Sequence, residues 1–153
     1  MASVDQFKVE RFVAAQDAGG TYDQALRELQ SGRKMGHWMW YIFPQLPLGN
    51  TKTAQTYALS GRAEAAAYLA HPVLGTRLIE CATALLSVES GRSALAIMGA
   101  LDTMKLRSSA TLFAAVSSPD SVFERLLARF YDGVADVKTL AMLASGDAEE
   151  RQP

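Results

Sequence analysis

His37-Trp38-Met39-Trp40-Tyr41-Ile42-Phe43-Pro44-Gln45-Leu46 holds both tryptophans of the 153-residue chain and two further aromatics within six residues. It follows neither a helical nor an alternating period cleanly. Aromatic side chains each bury a large area, so the segment must lie inside the protein, form a site, or do both. Pro44 disfavours the α region at Phe43, so a short helix from His37 must stop there. From Gln45 to Asn50 the chain is expected to be irregular.

Upstream of this stretch, Asp5 can cap a first helix running to about Ala18, with Phe7, Val9, Phe12 and Val13 near the 3.6 period. Gly19-Gly20 stops it, and Thr21 caps a second helix with Tyr22, Ala25, Leu26 and Leu29 inward. Asp23, Arg27 and Glu28 are expected to face water. Ser31-Gly32 ends this helix, which makes the pair an αα-hairpin. Downstream, helices are predicted over Thr51–Leu59, Arg62–Ala70, Val73–Val88, Ser93–Met98, Asp102–Val116, Val122–Tyr131 and Val137–Leu143. The helix over Val73–Val88 is the most apolar and is expected to pack centrally. No stretch alternates as a strand would. The fold class is therefore all-α, an irregular (orthogonal) bundle of about seven to nine helices. One domain is expected over residues 1–145, with a polar, disordered tail over residues 146–153.

Hydrophobic residues make up 49% and charged residues 20%, with a net charge of -1, the balance of an ordinary soluble domain. Nothing at whole-chain level calls for nucleic acid or an anionic membrane. The lone Cys81 excludes an internal disulfide, and no apolar run reaches the roughly 20 residues that span a bilayer. The N-terminus shows no leader, so the expected location is the cytoplasm. The expected assembly is a monomer or a weak homo-oligomer.

Three groups of residues can carry chemistry. In the first, Arg33, Lys34 and His37 stand beside Trp40 and Tyr41. Cations next to flat π surfaces suit a ligand with a phosphate and a ring. Trp38, Ile42 and Phe43 read as core. In the second, Gln45 follows a proline in an irregular segment, and its amide can donate and accept at once. In the third, Asp102, Lys105 and Ser109 share a helical face with Ser108 beside them, a set able to hold an anion. His37 and His71 lack ligand-spaced partners, so neither a metal nor a cofactor is expected. No phosphate-binding glycine loop and no Gly-x-Ser-x-Gly motif is present.

Several segments recur together: Gly32-Arg33-Lys34, the stretch from His37 to Leu46, Tyr57-Ala58 and Ala67-Tyr68-Leu69. With them come His71-Pro72-Val73-Leu74-Gly75, Lys105-Leu106-Arg107-Ser108-Ser109 and Thr111-Leu112-Phe113. In this the chain resembles a bacterial and fungal family of small, mainly helical proteins catalogued as a domain of unknown function. Some members of that family carry a misleading calpastatin label. The resemblance extends from about Asp5 to Leu143. It implies an all-α fold and supplies no activity. Gly36 stands where the family pattern has a serine, and Ala110 where it has a methionine.

These readings converge on a pocket between residues 37–46 and the helix carrying Lys105. Its expected occupant is a small anionic ligand, nucleotide- or ADP-ribose-like. Trp40 would stack, Gln45 would read a polar edge, and Lys105 with Ser108 and Ser109 would hold the anion. Two alternatives stand beside this one. The first is a hydrolase acting on a glycosidic or ester bond, with Asp102 or Glu80 as acid/base. The second is a protein-interaction module that uses the aromatic patch.

Overall fold

The computed structural model describes residues 7–151, with side chains described as far as Asp147. All regular structure among them is helical. The order is α1 (Glu10–Asp17), a 3-10 turn (Ala18–Gly20), α2 (Thr21–Ser31), α3 (Met39–Ile42), α4 (Lys52–Thr56), α5 (Arg62–Ala70), α6 (Leu74–Leu86), α7 (Ala94–Met98), α8 (Ala100–Ala115), α9 (Val122–Tyr131) and α10 (Val137–Arg151). Asp5, the expected first cap, lies outside the described residues. The first helix begins only at Glu10.

Local chemistry accounts for most boundaries. Gly32 adopts a left-handed conformation (φ 77°), and the Arg33 N–H reaches back to the Glu28 carbonyl at 3.0 Å, closing α2 with a glycine cap. Thr51, Ser93 and Ser121 each accept a backbone N–H at the start of α4, α7 and α9. His71 does more than interrupt two helices. Its Nδ1 accepts from the Val73 and Leu74 N–H groups at 3.1 and 3.3 Å, capping α6. That places the ring proton on Nε2, which meets Glu10 Oε1 at 2.7 Å and ties α6 to α1. The last helix, α10, continues past Gly146 to Arg151. Asp147 pairs there with Arg62 at the start of α5, at 2.9 and 3.1 Å.

The core places α8 at the centre beside α6, which packs against α2, α3, α5 and α9 as its apolar sequence leads one to expect. Ser108 to Phe113 are six consecutive buried residues, so that stretch of α8 is covered on every side. It packs against α5, α7, α9 and α10. Sequence hydrophobicity favours α6, which does bury Leu74, Leu78, Ala82 and Leu85. The α8 helix reads as more polar because small residues, Ser108, Ser109 and Ala110, occupy its crowded turns, where they let neighbouring helices come close. The aromatic stretch lies alongside. Trp38, Met39, Ile42 and Phe43 are buried, and Tyr41 meets Tyr57 edge-on with ring centroids 4.8 Å apart.

Candidate ligand site

The approach to the aromatic stretch is fixed by one carboxylate. Glu28 Oε1 accepts from the Met35 N–H at 2.7 Å, the Gly36 N–H at 2.9 Å and the Trp38 indole at 2.9 Å. Its Oε2 accepts from Gln24 at 2.8 Å. Burial raises the carboxyl pKa, but the four donors outweigh it and hold the group at about 2, below its ordinary 4.5. Glu28, which the sequence pattern turns toward water, is therefore the anchor of the loop. Gly36 suits the same packing, because a Cβ there would sit 2.6 Å from Gln24 Nε2 and 2.8 Å from Trp38 Cδ1, and both side chains would have to shift.

Lys34 is spent in the same structure. Its side chain is only 6% exposed, and its ammonium meets Asp102 Oδ2 at 2.7 Å, donates to the Gly36 carbonyl and lies 4.7 Å from the centroid of the Trp38 ring. It joins the loop to α8 and has nothing left for a ligand. The other oxygen of Asp102 lies 3.7 Å from the Lys105 ammonium, at the start of a less committed region.

Lys105 faces the aromatic stretch as expected. Its ammonium sits 5.0 Å from the centroid of the Trp40 ring, and the side chain is 32% exposed. Beneath it a crevice lined by Trp40, Phe43, Gln45, Tyr57 and Lys105 has a volume of only about 10 Å³. Lys105 occupies a face of Trp40, and the crevice has no room for a ring stacked there. A second hollow opens on the other side of Gln45 and Lys105, with a volume of about 460 Å³, within the range of small-molecule sites. Leu48, Leu101, Met104 and Val137 give it apolar walls, while Lys105, Arg107 and Lys138 supply three cations. Asp136 is the one carboxylate lining it, and that group is engaged at the start of α10, accepting from the Thr139 N–H at 2.9 Å and its hydroxyl at 2.6 Å.

The expected site residues thus divide. Gln45, Lys105 and Ser108 line the groove, although the Ser108 hydroxyl donates to the Met104 carbonyl at 3.2 Å. Trp40 lines only the narrow crevice. Tyr41 is half-buried, and its carbonyl accepts from Gln16 at 2.8 Å. Arg33 and His37 are exposed on the loop and line neither hollow. Ser109 is 1% exposed, and its hydroxyl is buried without a hydrogen-bond partner, so it fills the α8 packing and does not reach the groove. Sequence reading passed over Leu101, Met104, Arg107 and Lys138. Leu101, Met104, Lys105 and Ser108 form an i, i+3, i+4, i+7 stripe, which is hidden when α8 is started at Asp102 because Leu101 then falls outside it. Lys138 arrives from a helix 33 positions away and carries no local signal.

Asp102 and Glu80, the alternative acid/base candidates, are each already engaged. Asp102 sits between two lysines, whereas Glu80 accepts from the Tyr22 hydroxyl at 2.6 Å and lines a groove between α2 and α6. Among the described residues no three His, Cys, Asp or Glu side chains cluster as a metal site would need. No described helix is long and apolar enough to cross a membrane.

Residues 6–143 match the family described as "Protein of unknown function (DUF1810)". The chain belongs to the DUF1810 family. It is also similar to the conserved hypothetical protein Rv1873 from Mycobacterium tuberculosis, whose crystal structure superposes with a TM-score of 0.87 at 46% sequence identity. The match covers 92% of this chain and 99% of that one, so the helical architecture is shared along almost the whole length. A comparison with curated proteins found no match.

Proposed function

We propose that the protein binds a small organic anion in the groove between α8 and the start of α10. The observation that carries this reading is the charge of the groove lining. Lys105, Arg107 and Lys138 face a single carboxylate, Asp136, which is already engaged by Thr139. The Arg107 Nε–H is used on the Val134 carbonyl at 2.8 Å, which orients its guanidinium and leaves the terminal nitrogens to serve a ligand. Gln45 offers an amide where the groove meets the aromatic stretch.

The hydrolytic alternative gains nothing from this geometry, since Asp102 is held between two lysines, Glu80 accepts from the Tyr22 hydroxyl, and neither lines the groove. The interaction-module alternative gains little support, because Trp38, Met39, Ile42 and Phe43 are buried and Trp40 and Tyr41 stay only partly exposed. The test is a thermal-shift screen of organic anions, including nucleotides and ADP-ribose, followed by calorimetry on each hit. A ligand at 100 times its dissociation constant adds about 2.7 kcal/mol of stability. Lys105→Met should weaken any genuine hit roughly ten- to a hundredfold. Equal affinity in parent and variant would remove Lys105 from the site and overturn the reading.

A further inference from the structure

We infer that the ligand of this groove is an anionic amphiphile, an acid or phosphate head on an unbranched acyl chain, and not a nucleotide. The inference rests on the reading above and adds the chemical class of the occupant.

The walls decide the class. No aromatic side chain lines the groove, so it offers a base or sugar ring nothing to stack on. The aromatic that could have done so, Trp40, has the Lys105 ammonium 5.0 Å from its ring centroid and lines the crevice of about 10 Å³ instead of the groove. What the groove does offer is aliphatic. Leu101 is 75% exposed, Met104 66% and Val137 74%, with Leu48 beside them. Large apolar side chains this exposed on facing elements are costly in water and are covered favourably by a chain of methylenes. Gly49 and Ala135, both small, leave room between the walls. Methionine adds adaptability to a chain of variable length. The cations line the same hollow as these walls, so one molecule can satisfy both with its two ends. A carboxylate or a phosphate monoester fits equally as the head, and free amphiphile is the form that a groove of about 460 Å³ can admit.

The experiment is calorimetric titration of the full chain with decanoate and with decyl phosphate below their micelle concentrations, beside AMP, ADP-ribose, inorganic phosphate and decylamine. Anionic phospholipid vesicles form a further arm. Expected are saturable one-site binding of decanoate or decyl phosphate, no saturable binding of decylamine, and little binding of inorganic phosphate. The double variant Met104→Asn, Val137→Asn should weaken the acyl anion by roughly tenfold or more. Both positions are largely exposed, and an unchanged thermal melt without ligand will show that the variant is folded. Binding of AMP or ADP-ribose without the acyl anions would overturn the class and leave the anion-binding groove standing. Binding of none of the probes would remove both readings. Equal binding of decylamine and decanoate would reduce the effect to unspecific partition, and binding to vesicles alone would make the face a membrane contact. Either result overturns the inference.

Discussion

The two ends of the aromatic stretch use similar residues to opposite ends. At Trp38, the indole N–H, the neighbouring backbone amides and the Lys34 ammonium all have partners, gathered around Glu28 and Asp102. From Trp40 to Gln45, the nearby cation is Lys105, which has only a long 3.7 Å approach to a carboxylate that Lys34 already holds at 2.7 Å. Residue type does not separate the two ends, since each has a tryptophan and a lysine. What separates them is how much bonding capacity is already used. A saturated cluster fixes the fold, and a partly unsaturated one at the mouth of a groove is available for a ligand.

The largest effects should fall on the buried aromatics of the stretch, whichever end they belong to. Trp38→Ala and Phe43→Ala each remove a side chain that is 2% exposed and should cost about 3 to 5 kcal/mol through lost burial and cavity formation. Trp40→Ala, at the half-buried end, should cost distinctly less. Denaturant titration of the three variants checks the ranking. If Trp40→Ala proves as costly as Trp38→Ala, the aromatic stretch is structural throughout and the contrast between its ends disappears.

Glu28→Ala comes next. It leaves the Met35 and Gly36 amides and the Trp38 indole without their acceptor and should cost roughly 2 to 3 kcal/mol. The pH dependence carries a sign. The folded carboxyl titrates at about 2 against an ordinary 4.5, so the unfolded chain binds the proton more readily. Its contribution is complete above pH 4.5 and is lost as pH falls toward 2. Parent stability should therefore decline over that window more steeply than the stability of Glu28→Gln. Parallel acid melts would show that Glu28 is not the anchor.

Much of the fold was legible because helix boundaries here are written in local chemistry. Gly32 is read from the sequence as the end of α2, the segment Ser93–Met98 holds α7, and the segments over Arg62–Ala70 and Val122–Tyr131 match the observed helices. The illegible parts depend on distant neighbours. Gly75 reads as an ordinary helical glycine, yet a Cβ there would lie 2.0 Å from the Leu69 carbonyl oxygen, so it is the contact that lets α6 start against the end of α5. Glu28 follows the exposed face of α2 by period and is recruited by a loop seven to ten residues later. In the candidate site, Lys105 and Gln45 were legible as odd polar groups beside an apolar segment. Ser109 could not be told from Ser108, because a single 100° step on the helix decides which faces the groove and which the core.

The sharpest comparison is between two lysines carrying the same substitution. Lys34→Met removes a nearly buried ammonium from Asp102 and from the Gly36 carbonyl. Asp102, 19% exposed, keeps only the distant Lys105, so the loss should be about 2 kcal/mol, below that of a fully buried pair. Any effect on ligand affinity should then follow the loss of fold. Lys105→Met removes one end of a long, partly solvated i,i+3 contact, which is worth about 0.2 to 1 kcal/mol. Its melting temperature should stay close to that of the parent while affinity for an anionic hit falls. Methionine keeps an apolar stem, beside Trp38 in the first variant and beside Trp40 in the second, so each substitution removes chiefly the charge. Thermal melts of both variants with and without the ligand give four numbers from one assay. A large stability loss in Lys105→Met with no loss in Lys34→Met would reverse the assignment of the two ends and move the site to the loop at Arg33 and His37.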